Sequence, residues 1–233
     1  MTKLEKLEKR WKELVGKPRS KEEIAESLSL AKELELEYSK EYSSMIAELA
    51  DKGIKISNIY DLVNTAESYP DAIPILLNHV TKNYHDKNKE GIIRSLAVKE
   101  AIGKASPVLI AEYHRIPKDK MNLRWVIGNT VLMTFTEDDI ESILPIVQDK
   151  TNGKSRGRFI EALGKTKSKT AKAPEVENVL IGLLDDEEDV VPSALMALGR
   201  MKSKKAKTKI SVLSIHPNEL IRIEAQKALR KIP

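Results

Sequence analysis

One short phrase returns through the second half of this chain, and it limits the fold more than any other feature. Ala101-Ile102-Gly103, Val131-Leu132-Met133, Ala162-Leu163-Gly164, Ala197-Leu198-Gly199 and Ala228-Leu229-Arg230 begin 30, 31, 35 and 31 residues apart. A unit of that length cannot bury its own apolar face, so successive units must stack into one elongated array. Composition agrees with a stack of helices. Aromatic residues make up only 4% of a chain that is 41% hydrophobic. Thin helical layers are filled by Leu, Ile, Val and Ala, whereas compact globules use more bulky rings. Ten Gly and ten Pro are too few for a loop-rich β protein.

Helical spacing and its punctuation give the organisation. Leu4, Leu7, Trp11, Leu14 and Val15 predict a helix over 3–15, stopped by Gly16-Lys17-Pro18. Ser20-Lys21-Glu22-Glu23 is a capping box, a hydroxyl and a carboxylate placed to serve the first free amides. It opens one long helix to about residue 52, and Gly53 fits a left-handed cap. A shorter helix from Ser57-Asn58 carries Ile59, Leu62, Val63 and Ala66 and ends before Pro70. These elements, residues 1–68, are expected to form an N-terminal helical cap, because terminal units of an array are commonly atypical.

Residues 69–233 read as one continuous solenoid of alternating helices. First helices are predicted over 71–80, 106–115, 137–147, 174–184 and 205–215, and second helices over 89–102, 122–134, 154–163, 189–201 and 218–232. Pro107 and Pro174 fall in first turns, where a missing amide donor matters little. Pro74, Pro145 and Pro192 are expected to shift or kink their helices. The expected fold class is all-α, a right-handed α-α superhelix of about five helix pairs with an N-terminal helical cap.

The helix pairs resemble HEAT-type repeats, and most of all the compact HEAT-like or phycobilisome-lyase type. The resemblance rests on the run 185–191 (Asp-Asp-Glu-Glu-Asp-Val-Val) followed by 193–199 (Ser-Ala-Leu-Met-Ala-Leu-Gly). It rests also on 216–222 (His-Pro-Asn-Glu-Leu-Ile-Arg) followed by 224–229 (Glu-Ala-Gln-Lys-Ala-Leu). It covers about residues 69–233. It departs from the pattern at Val131-Leu132-Met133, which lacks the small ending, and at Pro192. It implies a protein that holds a partner along a curved surface, as adaptors, toxin-blocking immunity proteins, lyase-associated proteins and helical-repeat DNA glycosylases do. The fold alone selects none of these.

Catalytic chemistry finds little support. With no cysteine, disulfides, thiolate zinc sites and cysteine nucleophiles are excluded. His79, His85, His114 and His216 are the only histidines, and the first two lie six apart rather than at the four-residue spacing of a zinc helix. No glycine-rich phosphate loop, nucleophile elbow or metalloprotease helix is present. The run Asp185-Asp186-Glu187-Glu188-Asp189 has carboxylates for a hard cation but lacks the alternating pattern and central Gly of a calcium loop. It reads as a helix connection with Asp189 capping the next helix, and Glu137-Asp138-Asp139 after Thr136 reads as an acidic first turn. The expectation is a non-enzyme with no cofactor and no metal. The N-terminus alternates charge, and no run approaches the roughly 18 apolar residues of a membrane span. A cytoplasmic protein without membrane contact is expected.

The basic residues carry the binding expectations. Residues 1–149 hold 22 Lys and Arg against 25 Asp and Glu, whereas residues 150–233 hold 18 against 10. Lys165, Lys167, Lys169 and Lys172 occupy one inter-unit connection, and Lys202, Lys204, Lys205, Lys207 and Lys209 lie in or beside the next. Equivalent connections stack on one edge, so both groups are expected to form one anion-binding rim. Counted back from the repeated phrase, Arg94 and Arg124 share one column, and Trp125, Arg156 and Arg222 share the next, with Arg158 close by. Second helices usually line a concave face, where an arginine ladder with a tryptophan suits a hot spot for a protein partner with an acidic surface. The bland alternative is that Trp125 fills a gap and the arginines pair with Glu100 or Glu161. The alternative partner is nucleic acid, favoured by the positive C-terminal half.

Overall fold

A computed structural model describes residues 2–233. Every regular element in it is helical. α1 (Lys3–Leu14) and α2 (Lys21–Glu41) form an antiparallel hairpin. Thr2 and Ser20 each close a capping box with the glutamate three residues on. The arms are joined by the Arg10 guanidinium, bidentate on Glu26 at 2.6 and 2.9 Å, and by Lys3 to Glu37 at 2.6 Å. At the turn of the hairpin Val15, Ile24 and Leu28 stay exposed.

The long helix expected to residue 52 is broken at Tyr42, and α3 (Ser43–Asp51) follows as a separate element. No Pro or Gly marks the break. Ser39 and Ser43 donate their hydroxyls to the carbonyls three residues earlier, at 2.9 and 3.0 Å. Such back-bonding competes with the helical ladder, and Tyr42 turns into the core with 1% of its surface exposed. Gly53 adopts φ 78°, the left-handed cap its sequence context predicts.

α4 (Ile59–Asn64) and α3 behave as a helix pair of the stack, since α3 packs on α5 (Ala72–Val80) and α4 on α6 (Asp86–Ser95). The array continues as α7 (Ala105–Arg115) with α8 (Met121–Thr134), and α9 (Ile140–Gln148) with α10 (Gly157–Leu163). It closes with α11 (Ala173–Gly182) and α12 (Val191–Met201), then α13 (Lys207–Leu213) and α14 (Glu219–Lys231). One apolar core runs unbroken from Tyr42 to Ile232, so the packing crosses the boundary expected at residue 68 without a seam. The molecule is an α-solenoid. Among the described residues no helix is long and apolar enough to cross a membrane.

The second helices lie shoulder to shoulder, while the first helices touch their neighbours sparsely. The repeated phrase explains the difference. A Cβ built on Gly164 would stand 2.5 Å from the Ala197 Cα, and one on Gly199 2.9 Å from the Ala228 Cα. The glycine of one copy therefore sits on the alanine of the next, and only small residues permit that approach. A Cβ on Gly91 would meet Ile59 at 2.7 Å. Of two stacked layers, the one with the closer spacing forms the inside of the curve.

Two sequence expectations fail in this region. The first copy, Ala101-Ile102-Gly103, lies outside its second helix, because α6 ends at Ser95 and a 3₁₀ turn spans Lys99–Ala101. There the Ser95 carbonyl accepts a bond from the Tyr69 hydroxyl at 2.9 Å instead of continuing the ladder. Pro74 and Pro192 fall in first turns and disturb nothing; Pro145 alone sits inside a helix.

Candidate partner-binding face

The basic residues at the starts of the second helices divide into two sets. Arg124 turns inward and is 3% exposed. Its guanidinium donates to the carbonyls of Tyr113 (3.1 Å) and Ile116 (2.9 Å) and to Asn152 Oδ1 (2.6 Å), and lies 3.8 Å over the Tyr113 ring. Arg156, fully buried, donates to the Val147 and Gly153 carbonyls at 2.9 and 3.2 Å and grips both Asp186 oxygens at 2.7 and 3.1 Å. Arg222 donates to the carbonyls of His216 and Pro217 at 2.8 and 3.2 Å. Arg124 and Arg156 thus fill carbonyls left open where the preceding first helix ends, the negative pole of that helix, and Arg222 fills those of the loop after α13.

The ladder expected from the sequence is therefore corrected: Arg124 and Arg156 are internal staples, turned away from any partner. Arg94 is not in their column either. Lys89 is, donating to the Lys82 carbonyl at 3.3 Å and to Glu112 at 2.7 Å. The misplaced first copy of the phrase shifted that register. A signal was present in the sequence. Ile127, Gly128 and Val131 follow Arg124 at three, four and seven residues, and Phe159, Ile160 and Leu163 follow Arg156 in the same way, which places both arginines on the core stripe.

Asp186 responds to its partner. Burial pushes its carboxyl upward, but the Arg156 guanidinium and the Glu187 amide outweigh that and hold it below the usual carboxylate range.

What remains on the inner face is smaller and mixed in charge. Arg94, about one-third exposed, pairs with Glu90 at 2.8 Å. Arg158 pairs with Glu161 at 3.0 Å and lies 4.9 Å over the half-buried Trp125 ring. Around that stack runs a groove of about 410 Å³, whose apolar wall is Trp125, Pro192, Met196 and Leu220. Met196 is 36% and Leu220 56% exposed. Lys154, Asp189 and Glu224 supply charges of both signs at its margins. The pairing expected with Glu161 holds for Arg158, while Glu100 bonds Ser68 instead.

The nine rim lysines also divide. Lys165 donates to the Leu132 carbonyl at 2.7 Å, Lys172 pairs with Glu141 and Glu175, and Lys205 bonds Asn178. Lys207 and Lys209 belong to α13, bonding the Pro233 carbonyl and the Ile181 carbonyl with Asp185. Lys167, Lys169, Lys202 and Lys204 are exposed and their amines bond nothing among the described residues.

Three acids of the run 185–189 are engaged by the fold. Asp185 meets Lys209, Asp186 meets Arg156, and Glu188 accepts from Asn218. Asp189 makes no cap, since α12 starts after Val190 without a side-chain bond. His79 is buried between Tyr84 (2.5 Å) and Glu48 (3.0 Å). Among the described residues no three His, Asp or Glu gather as a metal cluster.

No known family profile matches the chain, and no curated protein matches it. Solved structures do. An engineered protein from the Northeast Structural Genomics Consortium superposes with a TM-score of 0.51 at 18% identity, over 81% of this chain and 95% of its own. A second engineered protein from that consortium gives 0.47 at 17%, over 100% and 99%. A designed armadillo repeat protein gives 0.41 at 15%, over 97% and 100%. The first likeness bears on the fold alone and agrees with the helical stack.

Proposed function

We propose that this α-solenoid, of the HEAT-like type, is a non-enzymatic scaffold of the cytoplasm that holds a protein partner on its inner face. The observation that carries the reading is the groove beside Trp125. Exposed Met196 and Leu220 flank an aromatic ring stacked under a guanidinium, the composition of an interface hot spot. Burial of Trp, Met and Leu surface supplies affinity, and the fixed Arg158 fork supplies orientation. Lys154 and Arg158 favour an acidic flank on the partner, while Glu161, Asp189 and Glu224 favour a basic one, so the fitting ligand is an amphipathic segment with both charges.

A photo-crosslinking residue placed at Met196 tests this in the native cell. The expected product is a covalent adduct with one protein, abolished by Trp125→Ala and Arg158→Ala together while the helical circular dichroism is unchanged. Adducts that survive the double substitution, or none at all, overturn the assignment.

A further inference from the structure

We infer that the edge formed by the connections after α10 and after α12 docks the phosphate backbone of a nucleic-acid duplex through Lys167, Lys169, Lys202 and Lys204. The two connections are neighbours. α10 packs on α12 through Gly164 and Ala197, and Arg200 of α12 donates to the Glu161 carbonyl of α10 at 3.3 Å. Lysines separated by many residues in sequence are thus brought to one edge.

The local acids offset these charges only in part: none stands within ion-pair distance of the four amines among the described residues, while Glu137 carries its charge near Lys167 and Lys169. Glu137 accepts the Lys167 amide and the Thr170 hydroxyl, Glu177 accepts the Ser203 hydroxyl, and Glu141 and Glu175 share Lys172. Cations are crowded enough to disturb one another: burial, then the nearby Arg200 charge, lowers the Lys165 amine below its ordinary value.

Both connections also carry local cost. Lys202 is the one non-glycine with positive φ among the described residues, at φ 56°, where glycine is the favoured residue. In the other connection the buried Thr166 Oγ1 has no hydrogen-bond partner. At Lys202 the left-handed backbone ends α12, with the amides of Lys202 and Ser203 returning to the Gly199 and Leu198 carbonyls.

The chemistry selects a duplex. Residues 164–172 and 202–209 include no aromatic side chain on which an unpaired base would stack, and no arginine to fork onto a base edge. Lysine point charges interleaved with Ser and Thr suit phosphate oxygens, without regard to sequence. This edge is separate from the groove beside Trp125, so the two proposals stand or fall apart.

The test is anisotropy of a labelled mixed-sequence DNA duplex over a range of salt, with polyglutamate as a rival polyanion. Expected is binding at low ionic strength that polyglutamate competes poorly. In the variant K167Q/K169Q/K202Q/K204Q the slope of log affinity against log salt should fall by about 3 to 4, since each phosphate contact contributes about 0.9. The all-arginine counterpart should restore binding, and Trp125→Ala should leave it unchanged. The inference is overturned by absence of duplex binding at low salt, by an unaltered slope in the glutamine variant, or by polyglutamate binding in place of the duplex.

Discussion

Along one edge of the stack, where first helices turn into second, Arg124, Arg156 and Arg222 are spent on backbone carbonyls and on Asp186. Along the opposite edge, the amines of Lys167, Lys169, Lys202 and Lys204 bond nothing among the described residues and reach into water. Each residue of either set carries the same single positive charge. Position on the stack sorts them, since Lys89 is buried in the same column as Arg124 and Arg156, and side-chain type assists: a planar fork satisfies several buried acceptors at once, whereas a strongly hydrated ammonium is easily left outside. Basic character alone therefore does not separate a binding residue from a structural one.

Four measurements test this contrast. Arg156→Ala strands Asp186 and the Val147 carbonyl, so denaturant unfolding should show a loss of about 3–5 kcal/mol, the cost of breaking a buried pair. Gly164→Ala drives a methyl against the Ala197 backbone, and the same experiment should show a loss of about 1–3 kcal/mol. On the solvated edge, Lys202→Gly should raise stability by about 0.5–1 kcal/mol, because glycine adopts the left-handed conformation without strain. Arg94→Ala, whose single surface pair is with Glu90, should change stability by less than about 0.5 kcal/mol. A large loss for Arg94→Ala, or a small one for Arg156→Ala, breaks the distinction.

Acid sharpens it further. The Asp186 carboxyl is depressed in the folded state, so its contribution is present above the unfolded value near about 4 and is lost as pH falls through the folded value. Urea midpoints followed from neutral pH downward should decline in the wild type. Asp186→Asn should begin lower and converge with the wild type in acid. Parallel curves would detach Asp186 from the staple.

Much of this architecture was legible in the sequence because period and composition act together. The second helices from 122 onward, the capping box at Ser20 and the left-handed Gly53 follow from local chemistry. The break at Tyr42 was not legible, since it arises from serine back-bonds and a tyrosine drawn into the core. The end of α6 at Ser95, whose carbonyl accepts the Tyr69 hydroxyl from 26 residues away, was not legible either. That early end leaves the first copy of the phrase outside its helix and shifts the register on which the arginine columns depended. The groove around Trp125 was half legible: its tryptophan and Arg158 stood out, but Met196 and Leu220 were hidden among ordinary helical apolar positions.

The glycine-on-alanine contacts between α10, α12 and α14 fix how tightly the inner layer closes. Because the outer layer touches so sparsely, one added methyl at such a junction would wedge the inner helices apart and flatten the arc locally. The aperture offered to a guest is thus written in the volume of a few side chains that never meet it, and a library of small-residue exchanges at 164, 197, 199 and 228 would grade its width in steps.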